Sequence, residues 1–273
     1  MIANARMYAV SVQAAQCWRA LFAAIIEKSG LPVVPIEHPP PLPIGALWAR
    51  NDLAAVFMCG LPYARALPRP RLLAAPVPDP DEFADQPVYW SEFVVRTDSP
   101  FHTLEDTFGQ RIAFTSRDSQ SGFAAALHDL AQRGGPFPLF REIIAPQITP
   151  AGALAAVANG AAEVAPIDAY ALHLLQRFRP ELTARVRTLA RTEARPIPPL
   201  VASVADVDAL RIAFLGADHD PRTRELLRPL LLRRFVEPDP RAYLALADEC
   251  DAALNFWRIH PLAAVTHPEF ALA

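Results

Sequence analysis

The sequence predicts an α/β protein of two lobes, each a mixed, mostly parallel sheet flanked by helices, with two crossings of the chain between them. Three observations carry that expectation. Short apolar runs with strand character alternate with runs of helical spacing along the chain, which is the rhythm of parallel sheets. The 273 residues, 52% of them hydrophobic, suffice for one large domain or two of ordinary size. The stretch 97–193 makes a compact α/β unit by itself, with flanking segments suited to extended crossings. Lobe 1 is therefore expected to comprise 1–95 with 197–273, and lobe 2 to comprise 96–196.

The elements follow in order. Arg6 to Val12 has strand character. Gln13 to Ser29 carries Trp18, Leu21, Phe22, Ile25 and Ile26 at helical spacing, and Gly30 supplies a C-cap. Leu31 to Ile36 reads as a strand, Pro39 to Pro43 as a rigid turn, Ile44 to Arg50 as a short helix, and Asp52 to Met58 as a compact apolar strand. Leu72 to Val77 and Trp90 to Arg96 are further strands, and Thr103 to Asp106 is a single helical turn. In the second lobe, strands are expected at Arg111 to Thr115, Arg141 to Ala145, Glu163 to Ile167 and Val186 to Ala190. Helices are expected at Phe123 to Arg133, Pro150 to Asn159 and Ala169 to Phe178. A last strand is read at Leu200 to Val204. Two tail helices are read at Pro221 to Phe235 and Asp239 to Phe256.

Composition narrows the function. The net charge is −3, and one lysine, Lys28, stands among many arginines. That balance argues against nucleic acid as the main partner, which would need clustered cations. The 29 prolines, roughly twice the usual ~5%, fall in short clusters and read as stiff loops. Cys17, Cys59 and Cys250 form no CxxC and no disulfide framework; they leave room for one bridge, and three buried thiols are the favoured reading. The seven histidines have no metal-ligand spacing, so neither a metal nor a cofactor is expected. The N-terminus lacks a basic region followed by an apolar segment, and no run of ~18 apolar residues occurs. These features leave open a cytoplasmic location or a leader that has been removed.

Four constellations could carry chemistry. Asp118-Ser119-Gln120-Ser121-Gly122 follows a strand and opens a helix, where unpaired N–H groups and hydroxyls can hold an anion. The plain alternative is an N-cap without ligand. Tyr89 and Trp90 stand at a strand entry, as one wall of a cleft or as an ordinary aromatic pair. Cys59 and Gly60 end an apolar strand, where open sheets bind ligands. The alternative there is a tight turn, and Cys59 has no activating partner. Asp168 also ends a strand, as a ligand acceptor, a helix cap or both. Signatures of hydrolases, P-loops, dinucleotide sites and zinc proteases are absent.

Taken together, these segments resemble a known family. Tyr89-Trp90-Ser91, Val94-Val95-Arg96 with Asp98-Ser99, Leu104-Glu105-Asp106 through Phe114, Ser119-Gln120-Ser121-Gly122, and Ala156-Val157 through Ile167-Asp168 are similar to the phosphate/phosphite/phosphonate-type substrate-binding proteins of ABC transporters. That family has the type II periplasmic binding protein fold. Met7-Tyr8 and Cys59-Gly60 with Pro62 resemble a divergent branch. The resemblance is good over 50–200 and weak at both ends. It implies a small, anionic ligand held between the lobes, a phosphonate, a phosphate or a carboxylate. Trp90 would stand near one wall, Ser119, Gln120 and Ser121 would donate to the anion, and Asp168 would face the cleft. Tyr8, Tyr89, Gly122 and Thr149 complete the candidate set. The resemblance also implies a permease partner, a periplasmic setting, and a monomer or weak dimer. Gln120 stands where phosphonate-binding members usually have Thr, and Pro150, after Thr149, where they have His. An enzyme or a cytoplasmic sensor on the same fold is the rival reading.

Overall fold

A computed structural model describes residues 1–270. In chain order its elements are β1 (Ile2–Asn4), α1 (Val12–Ser29), β2 (Val34–Pro35), α2 (Ile44–Trp48), β3 (Leu53–Phe57), α3 (Gly60–Arg65), β4 (Arg71–Pro78), β5 (Val88–Tyr89), β6 (Ser91–Arg96), β7 (Arg111–Ala113), α4 (Ala125–Arg133), β8 (Phe140–Ile144), α5 (Pro150–Ala158), β9 (Val164–Asp168), α6 (Ala169–Phe178), α7 (Pro180–Thr183), β10 (Val186–Arg191), β11 (Arg195–Pro196), β12 (Leu200–Ala202), α8 (Asp208–Leu215), α9 (Pro221–Leu227), β13 (Leu232–Val236), α10 (Pro240–Ile259) and β14 (Ala263–Val265). The chain divides into two compact units, 1–89 with 196–244 and 90–195 with 245–273.

The first unit is a six-stranded mixed sheet in the order β13-β4-β12-β3-β1-β2. β1 runs parallel to β2 and β3, while β12 is antiparallel to β3 and β4. Ser11 caps α1 by accepting a hydrogen bond from Ala14 N, and Gly30 closes it in the left-handed region at φ +68°. The buried face of α1 brings Trp18 and Phe22 onto Phe57, with ring centroids 5.1 and 6.3 Å away. Phe214 of α8 continues that aromatic core at 5.5 Å from Phe22.

The second unit is a six-stranded mixed sheet in the order β10-β6-β9-β7-β8-β14. β7 is parallel to β8 and β9, while β6 is antiparallel to β9 and β10. Its core packs Phe93, Ile112, Phe114, Phe123, Leu127 and Trp257. Arg111 of β7 locks onto Glu163 before β9, its guanidinium donating at 2.6 and 3.1 Å. Burial pushes the Glu163 carboxyl up, but the hydrogen bonds from Arg111 outweigh it and leave Glu163 below the usual carboxylate value.

Several expectations need correction. The first strand is Ile2–Asn4, and Arg6–Tyr8 is a 3-10 turn. Ile2 to Asn4 are all buried between β2 and β3, so they show no alternation to read. The helix expected over Pro221 to Phe235 stops early. Leu231 adopts φ +53°, ends a short 3-10 turn, and releases the chain into β13, which pairs antiparallel with β4. α3 and α8 were not foreseen. The chain crosses between units at 89/90 because β6 is paired on both sides by strands of the second unit. Residues 245–273 belong to the second unit rather than to lobe 1. Trp257 donates to Leu127 O at 2.9 Å, and β14 adds to β8 in parallel. Cys17 is half-buried, and Cys59 and Cys250 are buried.

Candidate ligand-binding site

The β6–β9 register organises the second unit's polar residues. It sets Ser91 directly opposite Asp168, so the two side chains share one face of the sheet. Ser91 is held on two further sides. Its N–H donates to Thr192 Oγ1 at 3.0 Å, and its hydroxyl donates to Ser121 O at 2.7 Å. Three segments distant in sequence are thus pinned to one point. Asp168 ends β9 and caps α6, with Oδ1 accepting from Ala171 N at 2.8 Å. Two residues on, burial and then the Asp168 charge push the Tyr170 hydroxyl well above its ordinary pKa, which keeps it neutral.

The Ser119–Gly122 run opens one wide turn of π-helix, Gln120–Ala124, that continues into α4. Such turns recur at functional sites. Ser119 Oγ accepts from Gly122 N at 2.9 Å, so its oxygen serves as the N-cap while its hydroxyl hydrogen is left to donate. Gly122 is required here. A Cβ on it would lie 2.1 Å from Thr115 Oγ1 and 2.9 Å from Ser119 Oγ, so any side chain would force those two side chains aside. The backbone N–H groups of Gln120 and Ser121 and the Ser121 hydroxyl have no hydrogen-bond acceptor among the described residues. Gln120 is 2% exposed, yet its Oε1 has no partner, and neither does the buried Oγ1 of Thr115. Donors at a helix start with the positive end of the helix dipole behind them suit an anion.

The neighbouring loop belongs to the same place. Gln147 N donates to Phe114 O at 2.9 Å and Ile148 N to Thr115 O at 3.0 Å, laying this loop along the end of β7. Thr149 then caps α5 through Gly152 N at 3.0 Å. On the opposite face of β6, Trp90 Nε1 donates to Glu92 Oε1 at 2.6 Å, and Arg191 Nε reaches the same oxygen at 2.9 Å. The Arg191 guanidinium lies over the Trp90 ring, 5.2 Å from its centroid. The indole is therefore fixed in one orientation.

The second unit links the Ser119–Gly122 turn to Asp168 through Ser91 and sets the loop before Thr149 against Thr115, while Trp90 lies with Glu92 and Arg191 on the other face of β6. Tyr8, Cys59, Gly60 and Tyr89 belong to the first unit. There the Tyr8 ring is 1% exposed, edge-on to Phe57 at 5.1 Å and stacked near Trp18 at 6.3 Å. Cys59 and Gly60 follow β3 and open α3, and Tyr89 is a buried residue of β5. Sequence reasoning did not nominate Ser91, Thr115, Thr192, Glu92 or Arg191. Ser91 was visible in the Tyr-Trp-Ser motif and Thr115 as the residue that ends the strand before the cradle. The roles of Thr192, Glu92 and Arg191 depend on strand register. Among the described residues, no group of three His, Cys, Asp or Glu side chains is placed to hold a metal ion.

The chain belongs to the family described as ABC transporter, phosphonate, periplasmic substrate-binding protein, whose model matches residues 8–243. Solved structures share the fold. A binding protein component of an ABC phosphonate transporter from Pseudomonas aeruginosa has a TM-score of 0.76 at 19% identity, covering 94% of this chain and 87% of that one. PhnD1 from Prochlorococcus marinus, in complex with methylphosphonate, has a TM-score of 0.76 at 18% identity, covering 93% and 97%. XAC2383 from Xanthomonas citri, bound to chloride ion, has a TM-score of 0.62 at 18% identity, covering 93% and 98%. No curated protein sequence matches the chain.

Proposed function

We propose that this protein captures a small phosphonate in the periplasm and delivers it to the permease of an ABC transporter, without transforming it. The family match over 8–243 supports the class, and the unpaired buried polar atoms around the π-turn are the observation that carries the ligand. In this reading the phosphonate oxygens accept from the N–H groups of Gln120 and Ser121 and from the hydroxyls of Ser119 and Ser121. The Trp90 indole, braced by Glu92 and Arg191, lines the ligand's side, and Asp168 orients it from the end of β9. Thr149 is assigned to the same ligand.

Gln120 favours a phosphonate over a carboxylate. Its unpaired amide oxygen requires a donor. A phosphonate monoanion carries an O–H beside its charged oxygens, whereas a carboxylate at neutral pH has none to offer. The test is a thermal-shift series with methylphosphonate, phosphate, methanesulfonate and acetate. At a hundredfold excess over the dissociation constant, a true ligand stabilises by about 2.7 kcal/mol. Methylphosphonate is expected to give the largest shift. A shift with acetate or methanesulfonate and none with methylphosphonate would replace the ligand class.

A further inference from the structure

The first unit holds a cavity that none of the residues assigned to the ligand lines. Its volume is about 390 Å³, which is the size of a small-molecule site. It lies between α1 and the segment that follows β2, and its existence follows from local sequence. β2 is a two-residue edge strand, and the Pro39–Pro43 stretch leads into a helix, α2, of only five residues. The short β2 and rigid prolines leave the groove beside α1 open, where a longer crossover helix would fill it.

The walls are apolar. Trp18, Phe22 and Ala15 of α1 face Ile36 across the space. The charges around it do not balance. Arg19 and Glu37 pair with each other, and His38 Nε2 lies 2.9 Å from Pro43 O. Arg6 is half-buried, its guanidinium bonds the Leu42 carbonyl, and no carboxylate among the described residues reaches it. Burial lowers its pKa from the ordinary arginine value, the sign of a cation that has lost water without gaining a counter-charge. Asn4 does not supply one, because its amide donates to Ile36 O and its carbonyl accepts from Arg6 N, each at 2.8 Å.

We propose that this cavity is a second binding site, for a small organic anion with an apolar body, an aromatic or branched-chain monocarboxylate. The carboxylate pairs with the Arg6 guanidinium, a geometry that allows two parallel hydrogen bonds, and the body packs on Trp18 and Phe22. The site is independent of the phosphonate cradle and does not rest on that reading.

Isothermal titration of the full chain with phenylacetate, 3-methylbutanoate and benzoate tests it, with neutral phenylacetamide as the control. At least one of the acids is expected to bind at one equivalent, and phenylacetamide at least about tenfold more weakly than phenylacetate, a difference near 1.4 kcal/mol. Arg6→Gln should weaken the acid by about tenfold or more while leaving the amide unchanged. Ala15→Leu, which fills the cavity, should abolish both. Bound methylphosphonate should not compete, and Ser119→Ala with Ser121→Ala should leave the acid's affinity as it was. Absence of binding by all three acids overturns the proposal. So does an unchanged affinity in Arg6→Gln, or competition by methylphosphonate.

Discussion

The two units share a plan of one mixed six-stranded sheet with helices, yet they differ in what they bury. The first unit buries Asn4 and Thr223. Both are consumed by local structure, Asn4 as above and Thr223 by donating to the Ala217 carbonyl. The second buries Ser91, Glu92, Thr107, Thr115, Gln120, Ser121, Asp168 and Thr192. Among them, Thr115 Oγ1 and Gln120 Oε1, on either side of the start of the π-turn, have no partner. An unpaired buried polar group costs about 1–3 kcal/mol. The first unit's buried polar residues serve stability. These two atoms of the second unit lie where the π-turn follows β7, and folding alone does not call for them.

The largest expected effect falls on Gly122. Gly122→Ala puts a methyl 2.1 Å from Thr115 Oγ1, and overpacking of this kind costs about 1–3 kcal/mol. The melting temperature should fall by several degrees and ligand affinity should be lost with it. Adding Thr115→Ala removes the nearest atoms and leaves only Ser119 Oγ at 2.9 Å, so the double variant should regain most of the stability. If the pair is no better than Gly122→Ala alone in a thermal melt, the turn is not clamped by Thr115.

A smaller effect contrasts the two units directly. Asn4→Leu leaves the Ile36 carbonyl and Arg6 N–H without their partners and should destabilise by about 1–3 kcal/mol, with methylphosphonate affinity unchanged. Gln120→Met replaces an unpaired amide by an apolar chain of similar length. Its stability should be unchanged or higher by up to about 1 kcal/mol, while methylphosphonate affinity falls by about tenfold or more. Chemical denaturation and titration of both variants decide the matter. Loss of stability in Gln120→Met would put the second unit's buried polar residues in the same class as the first unit's.

The long helices were legible in the sequence. α1, α5 and α6 announce themselves by apolar spacing, by the cap Asp168, and by Gly30 and Gly160 at or just beyond the ends of α1 and α5, whereas the caps Ser11 and Thr149 were not read. What escaped was set by tertiary context. Ile2–Asn4 is buried on all sides and shows no period. β13 looks helical until Leu231 turns left-handed and its residues pair with β4. The placement of the tail depends on Trp257 and β14 finding the second core, which no local pattern encodes. The cradle was visible as Ser-Gln-Ser-Gly because its chemistry is local to a helix start. Ser91 and Thr192 were not nominated, because a serine or threonine on a strand gains a role only through the register that sets it beside Asp168 and Ser121.

The central claim is that the Ser119–Gly122 turn of the second unit holds a phosphonate, and isothermal titration with methylphosphonate measures it most directly. Wild-type protein should bind one equivalent. Ser119→Ala combined with Ser121→Ala should weaken binding by about a hundredfold, near 2.8 kcal/mol, while loss of the Ser119 cap lowers stability by only about 1 kcal/mol. Equal affinity in the double variant, with its fold intact by circular dichroism, would contradict the account.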